Sequence, residues 1–380
     1  MKIGMICYPT YGGSGVMATE LGKALAHKNY EVHFISTSLP VRLDTMSPNI
    51  FFHEVNVLNY PLFEYTPYES ALISKIVDVV RYEGLDILHV HYAIPHAFAA
   101  VIAKQILASQ GIDVPVVTTL HGTDITLVGR DSTYEPTVTF SINQSDAVTA
   151  VSQYLKDETF KYFKIKKEIC VIPNFVDFER FSKKSKNHFK IAIAPNDEKI
   201  IVHTSNFREV KRLDDVIRIF ENIRKVMPSK LLLMGDGPER GRIELLVRKM
   251  ELVQDVRFLG KIEAVEEVLS IADLFLLPSE KESFGLAALE AMACQVPVIS
   301  SDAEGIPEVN INGVTGYISK IGNVKEMGEN ALKILQDPEV HQKFKLAAYE
   351  RAKDFDLKKI IVKYEDVYKK LLAKTPALVS

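Results

Sequence analysis

PSEKESFGLAALEAMACQVPVISSDAEGIPE, residues 278–308, is the stretch from which the fold reads outward. The apolar run 274–277 predicts a buried strand entering it, with a loop, a short helix and a second strand over 296–300 to follow. Between residues 284 and 294 every position is apolar or Gly except Glu290, whose neighbours one turn away are Leu286, Ala287, Ala293 and Cys294. A solvated helix face would carry more polar residues, so Glu290 is expected in a largely apolar setting. A carboxylate there needs hydrogen-bond donors. An Arg from elsewhere or the two hydroxyls of a ligand diol would supply them. Glu282 stands just ahead of the helix. Ser283 is expected to cap that helix, and Gly285 to leave its first turn open, so that the N–H groups of Phe284, Gly285 and Leu286 face an anionic or hydroxyl-rich ligand. A glycosidase pair is disfavoured. The Glu282–Glu290 spacing, if helical, rises about 12 Å, against roughly 5 to 9.5 Å for carboxylates acting across one glycosidic bond.

The same alternation of strand-like and helix-like segments runs through the chain. Strands are expected at 3–8, 31–36, 87–91, 116–120 and 147–150, with a helix over 16–27. A weakly patterned basic segment, 183–196, reads as a surface insertion. A second alternation starts at residue 200 and ends in a helix over 358–372. The 380 residues are enough for two α/β domains of doubly wound sheet, in which ligands bind beyond the carboxyl ends of the strands.

Composition narrows the class further. With 47% hydrophobic and 25% charged residues and a net charge of −3, nothing points to nucleic acid or an anionic membrane as partner. No apolar run approaches the roughly 20 residues of a membrane span. MKIGMICYPT reads as a buried strand rather than a signal peptide, so a cytoplasmic protein is expected. Cys7, Cys170 and Cys294 are far apart in apolar surroundings and are expected as reduced core residues.

Several loops carry candidate chemistry. Gly13, Gly15 and Ala18 satisfy G-x-G-x-x-G/A, a turn that cradles phosphate at a helix N-terminus. Ser36-Thr37-Ser38 stands where a dinucleotide-binding domain would place its ribose-binding acid, which weakens a nicotinamide reading. His89 alternates inward and is expected to be structural, whereas Tyr92 and His96 lie near a strand's carboxyl end and could meet a substrate. His121, in TTLHGTD, ends an apolar strand. SNFREVKR puts Arg208, Lys211 and Arg212 beyond another strand, where they could stabilise a diphosphate leaving group. Asp354-Phe355-Asp356 is expected to cap a helix rather than hold a metal.

Glu282 and Glu290 followed by AMAC and PV, together with HGTD, VIPNFVD and LLLMGDGPE, resemble the retaining GT-B glycosyltransferases of the E-x7-E family, glycosyltransferase family 4. The resemblance implies two Rossmann-like domains facing a central cleft. Residues 1–174 form the acceptor side, 175–357 bind the nucleotide sugar, and the C-terminal helix, 358–380, crosses back to the first domain. It implies catalytic roles for His121, Glu282 and Lys211, with Glu290 on the ribose hydroxyls. Gly13, Ser14, Asn206, Arg208, Gly235, Lys261, Ser283, Phe284, Gly285 and Leu286 are implied on the donor, and Gly12, Tyr92, Thr119 and Thr123 on the acceptor. The chain departs from the family pattern at Asn206, where an Arg is usual and Arg208 or Arg212 would replace it. It departs also at Phe175, at Gln295 and at Ala303-Glu304-Gly305. CYPTYGGSGVMATELGKAL, HVHYAIPHA and SEKESFGL resemble the members that join N-acetylglucosamine to L-malate in bacillithiol assembly. This implies UDP-N-acetylglucosamine and L-malate as substrates, no cofactor and no metal, and it is compatible with a homodimer. Rival readings on the same fold are a UDP-N-acetylglucosamine 2-epimerase, a transferase with a lipid acceptor, and a non-catalytic sugar-nucleotide sensor.

Overall fold

The computed structural model describes residues 1–10, 12–57, 65–183 and 187–373. Tyr11 of the Gly-rich loop, 184–186 of the basic segment and 374–380 of the terminal stretch therefore lie outside the described residues. The chain divides into two compact units, Met1–Asn174 with Leu357–Ser380, and Phe175–Asp356.

In the first unit seven parallel strands form one sheet: β1 (Lys2–Ile6), β2 (Glu31–Ser36), β3 (Ile50–Glu54), β4 (Ile87–His91), β5 (Val116–Leu120), β6 (Ala147–Ala150) and β7 (Ile169–Val171), in the order β3-β2-β1-β4-β5-β6-β7. The inner strands are near-continuous buried runs, with His and Thr among the apolar residues, because helices cover both faces of a parallel sheet. β3 and β7, the edges, are half-exposed and lack such a run, and nothing in their sequence marked them as strands. On one face Ile35, Leu88 and Val90 pack with Leu72, Ile76 and Val80 of the helix Tyr68–Glu83 and with Ala99 and Ala103 of the helix Phe98–Ala108. The terminal helix Leu357–Leu372 belongs to this unit. It buries Ile360, Ile361, Tyr364 and Tyr368 on a single stripe. The Tyr368 hydroxyl meets His89 Nδ1 at 2.7 Å, which gives His89 its structural role.

The second unit holds a six-stranded parallel sheet: β8 (Lys199–Thr204), β9 (Ser229–Met234), β10 (Val256–Gly260), β11 (Leu274–Leu277), β12 (Val298–Ser301) and β13 (Gly316–Ser319), ordered β10-β9-β8-β11-β12-β13. Its core centres on Ile201, Leu231 and Leu276 against Val216 and Phe220 of the helix Leu213–Arg224. One expectation is corrected. β12 starts at Val298 rather than 296, because Pro297 has no N–H to give the ladder. The basic segment carries a short helix, Asn187–Ile193.

In each sheet the strand order reverses once, between β1 and β4 in the first unit and between β8 and β11 in the second. The crevice beyond the carboxyl ends at such a reversal is where doubly wound sheets bind ligands.

Candidate active site

In the first unit three loops meet at the reversal. Gly12 is the N-cap of the helix Gly13–His27 beyond β1, and Ser14 in its first turn donates to the Tyr92 hydroxyl at 2.8 Å. Tyr92 follows β4 with φ 89°, and the Thr123 hydroxyl, beyond β5, bonds to the same phenol. Burial pushes that phenol up to about 12, so it remains a neutral hydroxyl. Gly13 and Thr123 are exposed beside it. Arg42 has Glu20 as its nearest carboxylate, at 3.9 Å.

His121 is buried, and its Nε2 lies 2.7 Å from His91 Nδ1. Burial pushes its pKa down to about 3, so at neutral pH it is an uncharged imidazole. Asp124, three residues on, was quoted in the motif but given no role. Its buried carboxylate accepts from the N–H groups of Ala93 (2.8 Å), Gly122 (3.0 Å) and His121 (3.4 Å), tying the turns after β4 and β5 together. Burial raises its pKa to about 6 against the pull of those donors.

Two substrate contacts expected from sequence fail here. Thr119 is fully buried one residue before the end of β5, and its hydroxyl is shared between His89 and Thr149 at 2.7 Å each. Its side chain lies in the unit's interior, so it is not an acceptor contact. His96 is likewise buried, held by the His91 carbonyl at 2.6 Å and the Tyr68 hydroxyl at 3.2 Å.

In the second unit Lys211 and Glu282 come together, Nζ to Oε2 at 2.6 Å, across the reversal between β8 and β11. Their side chains are only 18% and 17% exposed. The Glu280 N–H donates to the Val210 carbonyl at 2.8 Å and joins the same two loops. Arg212 is committed elsewhere, to Asp215 at 2.6 Å and Glu280 at 3.6 Å. Arg208 is exposed and has no ion-pair partner among the described residues, which leaves it available to an anion. Asn206 and Lys261 are also exposed. Gly235, φ 115°, donates to the Gly260 carbonyl at 2.7 Å, and a Cβ there would stand 1.8 Å from the Ser205 carbonyl oxygen. Asp236 accepts from the Gly237 N–H at 2.9 Å, a local turn bond.

The loop carrying Glu282 is clamped by the chain's own departure from the family pattern. Glu282 N–H donates to Glu304 Oε2 at 2.8 Å, and Gly305 N–H donates to the Glu282 carbonyl at 2.9 Å. Gly305 lies so close that a Cβ would sit 2.2 Å from the Ser283 carbonyl oxygen.

The helix that follows is Leu286–Ala293, with Gly285 as its N-cap at φ 97° and no side-chain cap. Ser283 is therefore not the cap. The left-handed turn at Gly285 delays the helix, so the N–H groups heading it belong to Leu286, Ala287 and Ala288 rather than to Phe284. The Phe284 ring is core, 5.5 Å edge-on to Phe355. Glu290 is 8% exposed, among the buried Leu289, Ala291, Met292 and Ala293. Of the cysteines, Cys7 and Cys294 are buried, and burial pushes the Cys7 thiol up to about 12. Cys170 is exposed on edge strand β7, contrary to its expected core position. Asp354 pairs with Arg351 at 2.8 Å.

The second unit thus presents a cation beside a carboxylate, a helix N-terminus and a buried acid, a set suited to a diphosphate and a diol. Residues 11–180 match the family described as Glycosyltransferase Family 4, and residues 184–351 that described as Glycosyl transferases group 1. The chain belongs to these GT-B glycosyltransferases. It is 47% identical over 370 residues to N-acetyl-alpha-D-glucosaminyl L-malate synthase of Bacillus anthracis, covering 97% of this chain and 96% of the relative. Glycogen synthase of Mycobacterium tuberculosis is 27% identical over 74% of this chain and 68% of its own length. Among solved structures, sucrose-phosphate synthase from Thermosynechococcus elongatus shares the fold with a TM-score of 0.83 at 21% identity, covering 99% of this chain and 100% of that one. Anabaena HepE in complex with UDP-glucose does so with a TM-score of 0.81 at 20% identity, covering 97% and 100%. No helix among the described residues is long and apolar enough to cross a membrane.

Proposed function

We propose that this transferase moves N-acetylglucosamine from UDP-N-acetylglucosamine to the hydroxyl of L-malate with retention at the anomeric carbon, the first step of bacillithiol biosynthesis, in the cytoplasm. The observation that carries the proposal is the 47% identity, over nearly the whole chain, to an enzyme named for L-malate. In the second unit Glu290 accepts from the ribose hydroxyls, and the backbone at Gly235 lies along the nucleotide, with Asn206 and Lys261 exposed beside it. Lys211, Arg208 and the N–H groups of Leu286 and its successors take the negative charge that builds on the diphosphate as the glycosidic bond breaks. Glu282, positioned by Lys211 and Glu304, accepts from sugar hydroxyls.

In the first unit the uncharged His121 offers a ring N–H or lone pair to a sugar hydroxyl. The Ser14, Tyr92 and Thr123 hydroxyls, with the N–H groups that open the helix after Gly12, supply the donors a dicarboxylate needs. In the reaction the anomeric carbon loses its phosphate oxygen and gains the malate oxygen on the same face. The malate hydroxyl proton passes to the departing phosphate, so no side-chain nucleophile and no metal enter the balance.

The test is UDP release from UDP-N-acetylglucosamine, with and without L-malate, in the presence of a chelator. Release that depends on malate is the expected result. Release without any acceptor would replace the proposal with epimerase or hydrolase chemistry.

A further inference from the structure

A cluster at the other side of the first unit has no part in this chemistry. His33, on β2, is fully buried, and its Nε2 lies 3.0 Å from Glu31 Oε1. Glu31 is in turn held by Lys2 Nζ at 2.8 Å. A carboxylate partner makes Nε2 the protonated nitrogen and leaves Nδ1 with its lone pair, the arrangement that orients histidines in metal sites. That Nδ1 faces His53 Nε2, on neighbouring edge strand β3, at 2.9 Å.

The third member is Glu83, the last residue of the helix Tyr68–Glu83. A carboxylate at a helix C-terminus adds to the negative end of the dipole and is disfavoured there without a cation. Glu83 has no ion-pair partner among the described residues. One ligand atom from each of His33, His53 and Glu83 lies within 4.8 Å of the other two. Zinc holds nitrogen and oxygen ligands at about 2.0–2.2 Å, which spaces them roughly 3.4 Å apart in a tetrahedron. Reaching that spacing requires rotation of the half-buried His53 and Glu83 side chains.

We propose that His33 Nδ1, His53 Nε2 and a Glu83 carboxylate oxygen bind a divalent transition-metal ion of the zinc class, with water as fourth ligand and Glu31 orienting His33. The ion would tie edge strand β3 to the end of the helix that packs against neighbouring β2. Two imidazoles and one carboxylate favour zinc over magnesium or calcium, which prefer all-oxygen sets. Lys2, Lys75 and Asp78 are the other charges facing the cluster, with Lys75 paired to Asp78 at 3.8 Å.

The full chain, stripped with chelator and dialysed, would be titrated with ZnCl2 by equilibrium dialysis with metal analysis, and with Co2+ by absorption spectroscopy. One zinc per chain is expected, with Co2+ bands of a four-coordinate site and a higher melting temperature when zinc is bound. H53Q and E83Q, both at half-buried positions, are each expected to weaken binding by about tenfold or more, and E31Q by about tenfold. Malate-dependent UDP release should be unchanged in all three, which shows that both units fold. No zinc on the wild-type chain at micromolar concentration, or wild-type affinity in either H53Q or E83Q, would overturn the assignment.

Discussion

Removing the charge of Lys211 is the sharpest test of how the second unit handles a leaving group. Lys211 Nζ sits 2.6 Å from Glu282 Oε2, and both side chains are more than four-fifths covered. At an effective dielectric of about 20, unit charges about 4 Å apart interact by about 4 kcal/mol. A diphosphate that gains charge as the glycosidic bond breaks draws on this cation more in the transition state than in the ground state. Lys211→Met should therefore lower kcat by about 100- to 1000-fold, equivalent to about 3–4 kcal/mol. KM for the donor should change less. The substitution also leaves Glu282 without its cation, at a stability cost of about 1–2 kcal/mol because the pair keeps some contact with water. A double variant, Lys211→Met with Glu282→Gln, should recover that stability and none of the rate. Steady-state UDP release at saturating malate measures the first effect, and urea unfolding the second. A Lys211→Met enzyme whose kcat lies within about threefold of wild type would refute the assignment of the diphosphate to this crevice.

Two further outcomes follow from the buried groups. Glu290→Ala should weaken UDP binding by about 10- to 150-fold, the worth of one hydrogen bond to a charged acceptor. Calorimetry with UDP and its 2′-deoxy analogue checks this: the wild type should discriminate between them and the variant should not, and unchanged UDP affinity would remove the ribose assignment. Acid should unfold the first unit steeply. His89 and His121 are pushed down to about 3 and His96 to about 4 by burial, below the usual histidine value near 6.5. The unfolded chain then binds more protons than the folded one, so the stability is present above pH 6.5 and is lost as pH falls from there toward 4. Asp124, raised to about 6, acts in the opposite sense over part of that range, because its folded form protonates first. For these three imidazoles and Asp124 the balance is about 3 kcal/mol lost per pH unit between pH 6 and 4, and His91, whose pKa burial also lowers, acts in the same sense. Urea unfolding at pH 7, 6 and 5 measures it, and a flat profile would mean that these imidazoles are not neutral and buried.

What could be read from the chain alone was whatever repeats locally. The strands at 31–36, 87–91 and 116–120 have the expected bounds, because a parallel sheet covered on both faces demands strands built largely of apolar and β-branched residues. Glu290 was legible as a buried acid because a helix brings residues three and four apart to one face, and its neighbours there are apolar. Where burial is two-sided, that logic fails. Thr119 and His121 lie two apart in one motif, yet the first bonds inside the sheet and the second ends in a turn, a difference no run of apolar residues reports. Ser283 resembled a cap until Gly285 took a positive φ, which local composition permits but does not require.

The sequence by itself determined the class of this protein: the alternation of strands and helices, the glycine turns at strand ends and the acid within an apolar helix. Only the tertiary structure decided which residues act together. Lys211 reaches Glu282, Ser14 reaches Tyr92, and His33 stands between Glu31, His53 and Glu83 because parallel strands set side by side groups that lie far apart along the chain. Those pairings depend on strand order and on which loop each strand feeds, and neither is encoded in any local stretch of residues.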